Sequence, residues 1–108
     1  MAELPLSDIF PGSTQNEISI TIPKAALATL VAKKGNRGDS IIAAMLITLK
    51  DFYTQERRDA NPDASIVANL GRVGVDTNFD SGLNYVIRPI EFSLYSELSL
   101  PELDAESY

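Results

Sequence analysis

The apolar residues of this chain change period twice, and that change limits what it can fold into. Ile18, Ile20 and Ile22 alternate with Glu17, Ser19 and Thr21, the pattern of a half-buried strand. From Asp39 to about Asp59 the apolar positions recur at helical spacing, and after Ser65 alternation returns. Helices bracketed by strands at short spacing predict an α+β domain, with helices segregated from a mostly antiparallel sheet. The predicted order is β-α-α-β-β, with a three-stranded sheet, two helices and extended N- and C-terminal arms.

Within that order, Pro23 ends the first strand and can open a helix, where its missing amide costs nothing. Residues 24–34 read as a short helix with Leu27, Leu30 and Val31 on one face and Gly35 as its C-terminal cap. After Asn36, Arg37 and Gly38, either Asp39 or Ser40 can cap the second helix. Its stripe is Ile41, Ile42, Met45, Leu46, Leu49, Phe52 and Tyr53, within about 140° of arc. Ile47 falls on the other side beside the small residues Ala43 and Ala44, where a core-facing helix is normally charged. That patch predicts close approach by a second subunit or by a local loop.

Residues 65–75 read as a strand, with Gly71 and Gly74 marking a bulge or a close approach. The stretch Asp76 to Gly82 is rich in turn formers. The last strand, about 83–95, carries its apolar residues at odd positions (Leu83, Tyr85, Ile87) and then at even ones (Ile90, Phe92, Leu94). A phase switch across Arg88 and Pro89 is what one inserted residue produces, and proline there favours an edge.

The ends have a different character. Leu4, Leu6, Ile9 and Phe10 at one end, and Leu98, Leu100 and Leu103 at the other, are short apolar anchors spaced by Pro and Ser. Such anchors need a surface to lie on, and a neighbouring subunit provides one. The expected division is an N-terminal arm over residues 1–16, a core domain over 17–96 and an acidic C-terminal arm over 97–108. Charge follows the same division. Residues 24–37 contain Lys24, Lys33, Lys34 and Arg37 and no acid, whereas five acids and no base follow Arg88. The acidic end of one copy would then lie near the basic patch of the next.

Composition narrows the chemistry. The 108 residues suit one domain, and 44% hydrophobic content is ordinary for a globular one. With no Cys and no His, disulfides, thiolate metal sites and the commonest general base are all excluded. The longest apolar run, Ile41 to Ile47, is far shorter than the ~20 residues of a membrane span. The N-terminus carries acids where a secretion signal would carry base. Asp76, Asn78 and Asp80 alternate as at the start of a calcium loop, but Gly82 falls one position after that loop's glycine and Ile87 stands where it needs its bidentate acid. A hairpin turn accounts for the same residues. Arg37-Gly38-Asp39 is explained by a capping loop, and Glu56 with Asp59 by a polar helix end. No cofactor and no enzyme activity are expected.

Two resemblances extend this reading. Over residues 17–58 the order strand, Pro, short helix, turn, long helix resembles a ribbon-helix-helix repressor, whose paired strands enter the major groove. That resemblance implies a dimeric DNA-binding regulator reading bases through Glu17, Ser19 and Thr21, with Lys24, Lys33, Lys34 and Arg37 on phosphates. The net charge of −6 opposes it. The segments Leu4 to Phe10, Ile20 to Leu27 and Asn61 to Ile66 are similar to small proteins of cyanobacterial genomes and their tailed phages. That similarity implies a virion component of capsid surface, neck, tail or baseplate, made in a host cytoplasm. A small adaptor of a host complex is a third reading. The leading expectation is a non-enzymatic, homo-oligomeric subunit that docks on copies of itself and on other virion proteins. Its interface would comprise Leu4, Leu6, Ile9, Phe10, Ala43, Ala44, Ile47, Leu98, Leu100 and Leu103.

Overall fold

The computed structural model describes residues 5–61, 65–78, 80–95, 105 and 108. Its first element, α1 (Leu6–Ile9), is a single helical turn, followed at once by Phe10. Pro11 and Gly12 then reverse the chain: the Ser13 amide donates to the Phe10 carbonyl at 3.1 Å, and Gly12 adopts φ +83°. Proline at the second and a positive-φ glycine at the third turn position is the sequence chemistry of a type II turn. The turn aims Phe10 inward, where it is 4% exposed and packs with Leu27 and Ala44. Leu6 and Ile9 pack around the same cluster. Residues 5–10 are therefore part of the body and not an arm reaching for a neighbour.

Strands β1 (Thr14–Gln15) and β2 (Ile20–Thr21) form a small antiparallel pair, with Thr14 opposite Thr21. The Asn16 side chain accepts from the amides of Ile18 and Ser19, at 2.8 and 2.9 Å, and so converts the expected strand start into a turn. Ile18 sits on that turn at 95% exposure, and of the three alternating isoleucines Ile22 packs on the core.

The helix expected over residues 24–34 is only a 3₁₀ turn, Lys24–Ala26. The chain leaves it at Leu27, and Thr29 has φ +62°, a conformation no right-handed helix contains. What competes with the helix is the surface of the next one. In α2 (Gly38–Phe52) the Thr48 hydroxyl accepts from the Ala28 amide and donates to the Ala44 carbonyl, both at 2.8 Å. Ala44 is small enough for Leu27 and Phe10 to lie against the helix there. The buried arc of α2 is accordingly rotated from the expected stripe: Ala44 is in the core, while Ile42 and Leu46 are exposed.

The long helix also stops earlier than expected. The Thr54 hydroxyl caps a separate helix, α3 (Gln55–Ala60), by accepting from the Arg57 amide at 3.2 Å. The Tyr53 carbonyl turns instead to the Ala68 amide at 2.7 Å, on β3 (Ile66–Leu70). Tyr53, Val67 and Ala68 are buried at this junction of α2, α3 and β3. Arg57 stacks over Phe52 at 4.0 Å and Arg58 over Tyr95 at 3.6 Å, tying α3 to its surroundings.

The rest is one long β-hairpin interrupted by a bulge. Strand β3 pairs antiparallel with β6 (Ile90–Leu94), Ile66 opposite Leu94 and Leu70 opposite Ile90. Strand β4 (Gly74–Thr77) pairs with β5 (Asn84–Ile87), Gly74 opposite Ile87 and Thr77 opposite Asn84. The Gly71 amide, donating to the Pro89 carbonyl at 2.9 Å, continues the first ladder by one pair. Between it and the Gly74 pair, Arg72 and Val73 oppose Arg88 alone, which is a β-bulge. The bulge read from Gly71 and Gly74 therefore forms on that strand, and none forms at Arg88–Pro89: residues 83–95 alternate without a break, so their odd and even apolar residues stand on opposite faces.

The class is α+β, with helices and small antiparallel sheets. The three-stranded sheet and the five-element order do not form. Among the described residues there are three two-stranded pairings, because β2 pairs with β1 and the bulge divides the hairpin.

Two substitutions test this architecture. Phe10→Ala is expected to lower unfolding stability by about 3–5 kcal/mol in chemical denaturation, since it empties a buried site. Removal of residues 1–12 then weakens the fold itself rather than only its association. Gly71→Ala places a Cβ 2.7 Å from the Pro89 Cβ. Both neighbours are rigid, so a loss of roughly 1–3 kcal/mol is expected in the same assay.

Candidate interaction surface

Rotation of the buried arc of α2 leaves an apolar face uncovered, and the bulge brings a second one up to it. Between them lies a groove of about 450 Å³. One wall is α2, with Ala43, Leu46, Ile47 and Lys50; the other is the bulged part of the hairpin, with Leu70, Val73, Pro89 and Ile90 among its lining residues. The side chains of Leu46, Leu70 and Val73 are exposed. Lys50, paired with Asp51 at 2.8 Å, and Arg88 are the charged residues of its lining, and among the described residues no acid lines it.

Beyond the bulge, β4 and β5 pack chiefly on each other. Residues opposite one another in an antiparallel pair share a face. Val75 and Val86 therefore stand on one face of this ribbon, and Tyr85 and Ile87 on the other. All four are exposed, Val75 at 70% and Val86 at 58%. A two-stranded ribbon with neither face covered is marginal in water. Its loop is held by Asn78, whose side chain accepts from the amides of Asp80 and Ser81 at 3.0 and 3.1 Å. Asp76 lies within β4, opposite Tyr85. Among the described residues no three Asp or Glu converge on a metal position.

The residues expected to form an interface divide four ways. Ala43 and Ile47 line the groove, Ala43 exposed and Ile47 half-buried. On its other side, Ile47 borders a second hollow with Thr29, Leu30 and Val31, so a local loop covers part of it. Phe10 and Ala44 are core residues of this protomer and are removed from the interface; both are needed to close the cluster around Leu27. Leu6 and Ile9, half-buried against that cluster, follow them. Leu4, Leu98, Leu100 and Leu103 lie outside the described residues.

Sequence reasoning missed Leu46, Leu70, Val73 and Val86. The helical stripe places Leu46 in the core, whereas it is exposed, as are the other three on the hairpin. One signal was available: residues 83–87 (Leu, Asn, Tyr, Val, Ile) are apolar on both phases and carry no charge, which is unlike a strand with one wet face.

The expected ribbon-helix-helix order over residues 17–58 also has no counterpart. Its strand is two residues long and already paired with β1, and a 3₁₀ turn replaces its first helix. Lys24, expected on phosphates, donates to the Lys33 carbonyl at 2.6 Å. No helix among the described residues is long and apolar enough to cross a membrane. Comparison with protein-family models, curated proteins and solved structures found no match to this chain.

One titratable group at the helix–sheet junction responds to its surroundings. Burial raises the Tyr53 hydroxyl above its ordinary 10.0, and Arg57 pulls it partly back. A raised folded value favours the neutral phenol in the native state. The stabilisation is complete below pH 10.0 and is lost as pH climbs through the folded value. Denaturant titrations across this range should show wild-type stability falling more steeply above pH 10.0 than that of Tyr53→Phe. Parallel curves for the two proteins would mean that Tyr53 ionises as freely folded as unfolded.

Proposed function

We propose that the chain is a non-enzymatic structural subunit that acts by self-association and by docking on neighbouring subunits, and that the assembly is a tailed-phage virion. The observation that carries the first half is the uncovered β4–β5 ribbon beside the apolar groove. Exposed single apolar residues are normal on any protein, but a contiguous set spanning a helix face, a bulge and both faces of a ribbon marks an interaction surface. Burying a side chain such as Leu70, 67% exposed, stabilises by roughly 1.5–3 kcal/mol before ordering costs. The groove and ribbon belong to folded elements, so docking there costs less ordering than docking an extended arm would.

The second half, the virion, rests on the resemblance of residues 4–10, 20–27 and 61–66 to small proteins of cyanobacterial phages. Capsid surface, neck, tail and baseplate positions all repeat one subunit many times. Repetition lets several modest contacts act together, which suits a surface made of separate apolar patches. On the described residues the proposed docking surface is the α2–hairpin groove and the ribbon, with Ala43 and Ile47 retained.

Leu46→Asp tests this without touching the core. Mass photometry and negative-stain microscopy of the purified protein should show oligomers or rings for the wild type. The variant should move to smaller species while its melting temperature stays within about 2–3 °C of wild type, as for other exposed substitutions. An unchanged mass distribution in the variant would remove the groove from the assembly surface.

A further inference from the structure

Among the described residues nothing pairs with the outer edge of β5, and its chemistry indicates what does. Hydrogen-bond alternation fixes which groups face outward. The Asn78 amide donates to the Leu83 carbonyl at 2.8 Å, so Tyr85 and Ile87 direct their backbone groups to β4, and Asn84 and Val86 direct theirs away from it. Among the described residues no third strand lies beside β5. Open edges in soluble proteins are normally defended by an inward charge, a proline, a bulge or a covering element. Residues 83–87 have no charge and no proline, and the bulge falls outside them, at Arg72–Val73. Strand β4, by contrast, carries Asp76 in its middle.

We infer that β5 pairs antiparallel with β5 of a second copy of this chain, about a two-fold axis through Val86. This rests on the reading of the chain as a self-associating subunit and names the strand that two copies share. Charge selects the strand. Pairing β4 with β4 would set two Asp76 carboxylates near the axis, and like charges opposite one another destabilise a sheet. Pairing β5 with β5 brings no like charges together, and Arg88 falls opposite the partner's Asn84. The ribbon suits a second copy although each chain carries −6, because residues 72–88 hold two arginines, Arg72 and Arg88, against Asp76 and Asp80, a local sum of zero.

The product is a four-stranded sheet in place of two isolated ribbons. On one face the Val75–Val86 pair continues into the partner's Val86 and the partner's Val75, a row of four valines. On the other face Tyr85 meets the partner's Ile87. The outward amides of Asn84 and Val86 acquire acceptors, and the sheet reaches the number of strands that is independently stable.

Residue-resolved amide hydrogen exchange on the full chain, with sedimentation velocity across a concentration series, tests the pairing. A species of twice the 11.8 kDa chain mass should appear as concentration rises. With it, exchange at Asn84 and Val86 should slow at least tenfold. Val86→Lys, which sets two ammonium groups across the axis at a site exposed in the single chain, should weaken dimerisation more than tenfold. Protection at the buried Val67 amide should stay unchanged. Association with fast exchange at Asn84 and Val86 would overturn the β5 pairing and leave the subunit reading standing on the groove. A chain that stays monomeric at every concentration would overturn both. The exchange pattern of the unaltered chain decides the matter even if Val86→Lys does not fold.

Discussion

The hydrogen bond from the Ala68 amide to the Tyr53 carbonyl joins the two halves of this protein. A helix carbonyl at Tyr53 would ordinarily be satisfied within the helix by the Arg57 amide. Here Thr54 takes that amide with its hydroxyl, and Tyr53 is free to hold the outward edge of β3. One exchange of partners ends α2, starts α3 and sets the β-hairpin against the helices. Val67 and Ala68 are buried because of where it places them. Without this joint the hairpin would be a separate ribbon, and the groove beside α2 would have one wall.

From that joint the hairpin runs outward, and its character changes at the bulge. Up to Gly71 and Pro89 it is supported by helices; beyond Arg72–Val73 its two strands pack chiefly on each other. The extra residue shifts the alternation of its own strand by one, so that Val75 shares a face with Leu70 and Val86. Tyr85 and Ile87 stand on the other face, because their strand alternates without a break. This surface gathers valine, leucine, isoleucine and tyrosine on the outer ribbon, which supports the proposed self-association.

Several features were legible in the residues. The α+β class followed from the change of apolar period, and the bulge followed from Gly71 and Gly74, not from the odd-to-even switch around Arg88. Of the turn formers at 76–82, Asn78 holds the hairpin loop, while Asp76 belongs to β4. The N-terminal error was also legible in part: Pro11-Gly12 is a turn signal, and a turn immediately after Phe10 brings that ring back to the body. The helix expected at 24–34 was not recoverable locally, because its spacing and composition are those of a helix. It is displaced by Thr48 and Ala44, more than a dozen residues later, which offer Ala28 a hydroxyl and Leu27 a socket.

By itself, then, the sequence determined what depends on neighbours a few residues apart: periodicity, turn positions, the bulge and the exclusion of histidine and thiolate chemistry. Tertiary structure decided which apolar faces are covered. Ala44 rather than Leu46 lies in the core because the loop after Ala26 docks on that side of α2. The valines of the ribbon are exposed because the helices pack on β3, while β4 and β5 pack chiefly on each other. Burial is set by contacts between distant segments, and a periodic pattern records only that a face is apolar, not what meets it.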